Sequence, residues 1–254
     1  MMPARPDRTA PRLSCLPVSG TATVLRAIGP TLRRWFAHRC AVCGIVPGAP
    51  VCAGCAADFF PSDTTRCTQC ALRLAQSGDA LVCGRCLREP PRYDATLALA
   101  DYAAPVDGMV IALKFGHRLE LARVFGELLA ERMGERVPRD ALLTPVPLAF
   151  ERHAERGFNQ AREIARTVAR RLALPLAPDA LLRTRHGAPQ EKLTLDERRR
   201  NIRGAFAVRA DVRGRTAVVV DDVMTSGATL DEIAAALKRA GAARVINLVV
   251  ARTP

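Results

Sequence analysis

Val218-Val219-Val220-Asp221-Asp222-Val223-Met224-Thr225-Ser226-Gly227-Ala228-Thr229 sets three β-branched apolar residues against two adjacent carboxylates, then a short run of small hydroxyl residues and glycine. The valines predict a strand buried on both faces, as in a parallel sheet covered by helices. Asp221 and Asp222 fall where that strand ends, the edge at which open α/β sheets bind ligands. Thr225, Ser226, Gly227, Ala228 and Thr229 predict a turn that opens a helix over residues 230–240. The N–H groups and hydroxyls of such a turn, backed by the positive end of the helix dipole, form a cradle for phosphate. The carboxylates would repel a phosphate and suit sugar hydroxyls or a metal ion beside it. A carboxylate pair next to an anion cradle implies a phosphorylated sugar.

Upstream of this stretch, strand and helix patterns alternate from residue 95. Strands are predicted over 95–102, 141–148, 205–208, 217–223 and 245–251, and helices over 106–115, 119–133 and 158–172, the last with Ile164, Val168 and Leu172 on one face. Gly241 suits the C-cap of the helix at 230–240. Alternation of this kind implies an α/β fold, a parallel sheet with helices on both faces. With the last predicted strand three residues from the chain end, a cover for the site is expected from upstream.

Eight of the nine cysteines form four Cys-x-x-Cys brackets: Cys40 and Cys43, Cys52 and Cys55, Cys67 and Cys70, Cys83 and Cys86. Two thiolates three positions apart on a tight knuckle can face one metal ion, and two knuckles complete a tetrahedron. Gly44 suits the turn of the first knuckle. Eight thiolates divide into two zinc sites, which are structural because four sulfur ligands leave no open position. We expect sequential pairing, the first bracket with the second and the third with the fourth; cross-brace pairing is the alternative. An iron–sulfur cluster would leave four thiolates idle. A single bracket could be a redox pair, but four brackets favour metal; disulfides suit an oxidising compartment, whereas the companion domain reads as cytoplasmic. Cys15 stands apart from the brackets.

The 254 residues divide into four expected segments: a disordered basic lead (1–20), an amphipathic helix (21–39), a zinc ribbon module (40–91) and an α/β domain (92–254). The helix follows from Val24, Leu25, Ile28, Leu32, Trp35 and Phe36, with a break expected at Gly29-Pro30; docking on the protein is favoured over a membrane surface. Pro90-Pro91 marks the next boundary. No apolar run is long enough for a transmembrane segment, and the N-terminus lacks the layout of a secretory signal. The formal charge is +13, and 35 of the 38 basic residues are Arg, favouring nucleic acid or a phosphate-rich substrate as partner.

Two further segments are denser in polar residues than a scaffold requires. In the first, Thr144-Pro145-Val146-Pro147 leads through a basic loop with Arg152 and Arg156 to Gly157-Phe158-Asn159-Gln160, a layout that would hold a diphosphate between Arg side chains and helix N–H groups. The second begins at Leu182, carries Arg183, Arg185 and Arg198, and suggests a lid that closes over anions.

Residues 218–229 resemble the phosphoribosyl diphosphate (PRPP) signature of type I phosphoribosyltransferases. Together with the cysteine brackets, Leu113-Lys114-Phe115, Pro145-Val146-Pro147-Leu148, the 155–160 run, Pro189-Gln190, the 197–201 run and Gly204-Ala205-Phe206, the chain resembles the ComF family of competence-associated proteins over about residues 36–252. Ser226 replaces the more usual Thr and keeps the hydroxyl. The resemblance implies a type I phosphoribosyltransferase-like sheet behind a zinc ribbon module, PRPP or a nucleotide as ligand, and Mg²⁺ with PRPP. It assigns the ribose hydroxyls to Asp221 and Asp222 and the 5′-phosphate to Thr225–Thr229. Arg152 and Arg156 become candidates for the diphosphate, with Arg183, Arg185 and Arg198 on the lid; Lys114 could face either anion or pack beside the zinc module. It further implies a role in DNA uptake during natural transformation, with single-stranded DNA and the uptake machinery as partners. An active phosphoribosyltransferase acting on a base or amine, and a PRPP-sensing regulator, are the alternatives.

Overall fold

The valine run forms an inner strand of a parallel sheet, as its composition predicts. The computed structural model describes residues 39–75, 81–184 and 202–254. Two short helices, α1 (Ala53–Phe59) and α2 (Gly84–Arg88), belong to the cysteine region. They are followed by β1 (Ala95–Asp101), α3 (Val106–Phe115), α4 (Glu120–Met133) with a 3₁₀ turn at Gly134–Arg136, and β2 (Leu142–Pro145). Next come α5 (Phe150–Arg156), α6 (Gln160–Leu172), β3 (Leu181–Arg183) and β4 (Phe206–Val208). The fold closes with β5 (Thr216–Met224), α7 (Ala228–Arg239) and β6 (Arg244–Arg252).

The main sheet has the order β1-β6-β5-β2, every neighbouring pair parallel. Because side chains alternate along a strand, Val218 and Val220 enter one core with Ile246, Leu248 and residues of α3, α4 and α6. Val219 enters the other core with Val245, Val249 and Leu230, Ile233 and Leu237 of α7. All three valines are fully buried. Helices therefore cover both faces, which is the expected α/β architecture. On the first face α4 and α6 cross closely: a β-carbon on Gly126 would lie 2.5 Å from Cβ of Thr167.

Three expectations change. The strand predicted over 141–148 stops at Pro145, because Pro145 and Pro147 bring no N–H; Val146 N–H donates to the Val220 carbonyl at 2.9 Å as the last rung. The basic loop before Gly157 is the helix α5, and Gly157 ends it at φ 73°, a left-handed conformation that glycine tolerates. Leu182, expected at the start of a patternless segment, lies in β3, which pairs antiparallel with β4 apart from the main sheet. The predicted lead and helix up to residue 38, and the lid residues Arg185 and Arg198, lie outside the described residues.

Arg39–Pro254 form one compact unit. The cysteine region reaches into both cores. Phe60, just after α1, is fully buried in the first, while Cys67, Cys70, Cys83 and Cys86 join the second beside Tyr93 and Met224. No helix among the described residues is long and apolar enough to cross a membrane.

Candidate functional site

β2 ends level with Val220, where its partner Pro145 turns away, so β5 runs on beyond its β2 neighbour. That extension carries the two carboxylates. Asp222 is 5% exposed; Lys114, from the last turn of α3, donates to its Oδ1 at 3.1 Å. The buried Oδ2 has no hydrogen-bond partner among the described residues. A buried carboxylate oxygen without a donor is costly, and a ligand hydroxyl would satisfy it. Asp221 accepts from the Asp222 N–H at 2.9 Å and has no other side-chain hydrogen bond among the described residues. Burial, and then the neighbouring Asp222 charge, push its carboxyl up to about 8; Lys114 opposes them only in part.

Beyond Met224 the chain turns through Thr225–Thr229 into α7. Gly227 is the N-cap, at φ 80°, and no side chain caps the helix. Ala228 N–H donates to Ser226 Oγ at 3.4 Å, and among the described residues the N–H groups of Thr229 and Leu230 are left for an anion. Asp221, Thr225, Ser226, Gly227, Ala228 and Thr229 line a cavity of about 40 Å³. That is roughly three times the space a single water needs, a volume on the scale of a phosphate group. Gly227 is required twice over. Its φ disfavours a side chain, and a β-carbon would meet Met224 Cε at 2.5 Å.

Arg156 and Arg152 act on the two aspartates from outside the loop, and Arg183 is a neighbour of Arg152. Arg156, 9% exposed, lies over the Phe115 ring at 4.7 Å from its centroid, and its Nε has no partner among the described residues. Burial pulls the Arg156 guanidinium down from its ordinary value; Asp222 opposes that and Arg152 adds to it. Burial and then Arg152 act the same way on Arg183, on β3. Arg152 thus senses Arg156, Arg183 and, by attraction, Asp221. Glu155 and Glu151 partly offset Arg152 at Arg156 and Arg183, and a basic cluster at this edge suits a polyanion.

The expected cradle at the start of α6 differs. Asn159 caps that helix by accepting from the Arg162 N–H at 3.3 Å, while its amide donates to the Val146 carbonyl at 2.9 Å. Its role is to tie α6 to the end of β2. Thr144 and Gln160, at the two ends of the first polar segment but given no role there, each bury an oxygen without a hydrogen-bond partner among the described residues. Lys114, open between two roles in sequence, is paired with Asp222.

The cysteines gather as two tetrads, Cys40, Cys43, Cys52 and Cys55, and Cys67, Cys70, Cys83 and Cys86, the sulfurs of each within 4.8 Å of one another. Pairing is therefore sequential. The two sites repeat one geometry. Gly44 and Ala71, the residues after Cys43 and Cys70, both have positive φ and donate to the carbonyls of Cys40 and Cys67 at 2.8 Å. Cys52 and Cys83 cap α1 and α2, and their N–H groups donate to the sulfurs of Cys40 and Cys67 at 3.3 Å. The eight thiols are free. Burial raises a thiol, but backbone donors from Cys52, Cys43 and Val42 outweigh it and bring Cys40 down to about 6. Burial and then neighbouring thiols hold Cys55 up at about 12 and push Cys86 well above its ordinary value. Four thiolates this close cannot all ionise without a cation between them, so the donor set fits a tetrahedral ion, and structural zinc above all.

A model of the phosphoribosyl transferase domain matches residues 159–254. DNA utilization protein YhgH of Escherichia coli O157:H7 is 40% identical over 199 residues, covering 76% of this chain and 86% of the relative. Competence protein F of Haemophilus influenzae is 30% identical over 201 residues, covering 75% and 85%. A ribose-phosphate pyrophosphokinase of Nitrosomonas europaea is 43% identical over 82 residues, 32% of this chain and 22% of that protein. The acidic strand end, the glycine-capped loop and the paired cysteine tetrads thus occur in a sequence that aligns with YhgH and competence protein F over most of their length. The chain belongs to the ComF family, with a phosphoribosyltransferase-like domain behind a cysteine-rich module.

Proposed function

We propose that this protein binds PRPP at the end of β5 and uses that site while handling DNA, with single-stranded DNA as its macromolecular partner. The observation that carries the ligand is the juxtaposition of a phosphate-sized cavity on the Thr225–Thr229 loop with two carboxylates, one of which buries an unpartnered oxygen. Asp221 and Asp222 accept from the ribose hydroxyls, the loop N–H groups hold the 5′-phosphate, and Arg152, Arg156 and Arg183 receive the diphosphate. Lys114 hands Asp222 over to the ribose when the ligand arrives. Mg²⁺ bound with PRPP would neutralise the diphosphate beside the same carboxylates. The names DNA utilization protein and competence protein belong to relatives aligned over most of their length, and the +13 charge suits a polyanion. These support the DNA partner and a place in the cytoplasm, where imported strands are processed.

A second reading, turnover of PRPP with a base or amine, is favoured by the arginines gathered where a leaving diphosphate would sit. Calorimetric titration with PRPP and Mg²⁺, followed by assay of diphosphate release across a panel of bases and amines, separates the two. Saturable binding without release supports a ligand-sensing DNA-handling protein. Release with one acceptor supports a transferase, and no binding at all contradicts both.

A further inference from the structure

The phosphate loop is held from behind by the second cysteine tetrad. Arg85 sits between Cys83 and Cys86 on α2, and its guanidinium donates to the Ser226 carbonyl at 2.7 Å, across 141 positions of sequence. Arg252, the last residue of β6 and 4% exposed, donates to the Cys70 carbonyl at 2.9 Å and to the Met224 carbonyl at 3.3 Å. One tie therefore reaches the residue just before the loop, and the other reaches its middle. Tyr93, 3% exposed, closes the space behind; its hydroxyl would lie 3.2 Å from a β-carbon on Gly227. The first tetrad faces elsewhere, with Ala41, Val42 and Val51 packed against the core on the α4 side of the sheet.

The Arg85 contact has a directional consequence. The Ser226 carbonyl and the Gly227 N–H belong to one planar trans peptide, so fixing the carbonyl fixes the N–H in the opposite direction. With the carbonyl drawn back toward α2, the Gly227 N–H is aimed the opposite way, and Gly227 lies in the lining of the 40 Å³ cavity. A carbonyl free to turn would instead present its oxygen to the incoming phosphate.

We propose that Arg85 is a positioning residue for phosphoribosyl binding, through which the second cysteine tetrad sets the orientation of the Ser226–Gly227 peptide. This inference rests on the PRPP reading for its ligand, but the loop itself reports on it without one.

The test uses full-length protein as purified, with zinc content measured, in wild type, Arg85→Ala and Arg85→Lys. Arg85 is exposed, so zinc content should match wild type in both variants, and the urea midpoint should fall by no more than the loss of this one hydrogen bond. Hydrogen exchange of the peptide covering residues 224–230 should rise about tenfold in Arg85→Ala, and affinity for PRPP should fall about tenfold, the lower range for a charged hydrogen bond. Arg85→Lys, which keeps one donor and the charge, should recover part of both losses while exchange elsewhere stays unchanged. Wild-type loop exchange in Arg85→Ala, or identical behaviour of the Ala and Lys variants, overturns the inference. A wild-type protein that fails to bind PRPP overturns the phosphoribosyl reading, and loop exchange in unliganded protein still decides the role of Arg85.

Discussion

Lys114 Nζ lies 3.1 Å from Asp222 Oδ1, joining the end of α3 to the end of β5 with both side chains largely withdrawn from water. The pair places an ammonium against a buried carboxylate at the acidic strand end. Removing one partner leaves the other uncompensated, which costs more than the pair contributes. Lys114→Met should lower unfolding free energy by about 3 kcal/mol. The double variant Lys114→Met with Asp222→Asn should recover most of that loss in urea titrations; additive losses would show that the two do not interact.

Asp221 presents the opposite case. Burial and then Asp222 raise its folded carboxyl from 3.8 to about 8. The folded protein therefore binds more protons than the unfolded chain between those values, and the group costs stability as pH rises through that window. Asp221→Asn should melt higher than wild type, with an advantage that is absent near pH 4, grows toward pH 8 and is constant above it. Thermal melts across that range check this. An advantage independent of pH would mean that the side chain ionises as freely in the fold as outside it.

Gly227→Ala should destabilise the protein by roughly 1–2 kcal/mol from the left-handed backbone alone. The added methyl also meets Met224 Cε and the Tyr93 hydroxyl, so Met224 or the loop must shift and PRPP binding should weaken. Gly108, in open space on α3, serves as control: Gly108→Ala should stabilise by about 0.5–1 kcal/mol through helix propensity. Urea unfolding and calorimetry of both variants decide whether position or composition matters.

Binding of single-stranded DNA, if it uses the arginine excess, should weaken steeply with salt. Each phosphate neutralised contributes about −0.7 to the slope of log K against log salt. A slope near zero in mobility-shift titrations would exclude an electrostatic interface.

The site was legible in sequence where chemistry is local. Val218–Val220, the two acids and the loop are contiguous, so their order alone places a ligand edge. The tetrads were legible as brackets, and geometry then selected sequential pairing. What stayed hidden depends on distance or on marginal length. Helix α5 is seven residues with no apolar stripe, so Arg152 and Arg156 read as a loop; its end is set by Gly157 and its place by Arg156 over Phe115. Strands β3 and β4 are three residues each and find each other only through tertiary pairing. Nothing near Arg85 or Arg252 in the chain signals Ser226 or Cys70, because those contacts close loops of 141 and 182 residues.

Titration of PRPP with Mg²⁺ into wild type and the Asp221→Asn, Asp222→Asn double variant tests the central claim most directly. Above pH 8, where Asp221 is ionised, each charge-assisted hydrogen bond contributes about 1.5–3 kcal/mol, so losing both should weaken binding by about 100-fold or more while far-ultraviolet circular dichroism stays unchanged. Equal affinity in a folded double variant would contradict the assignment of the phosphoribosyl group to the end of β5.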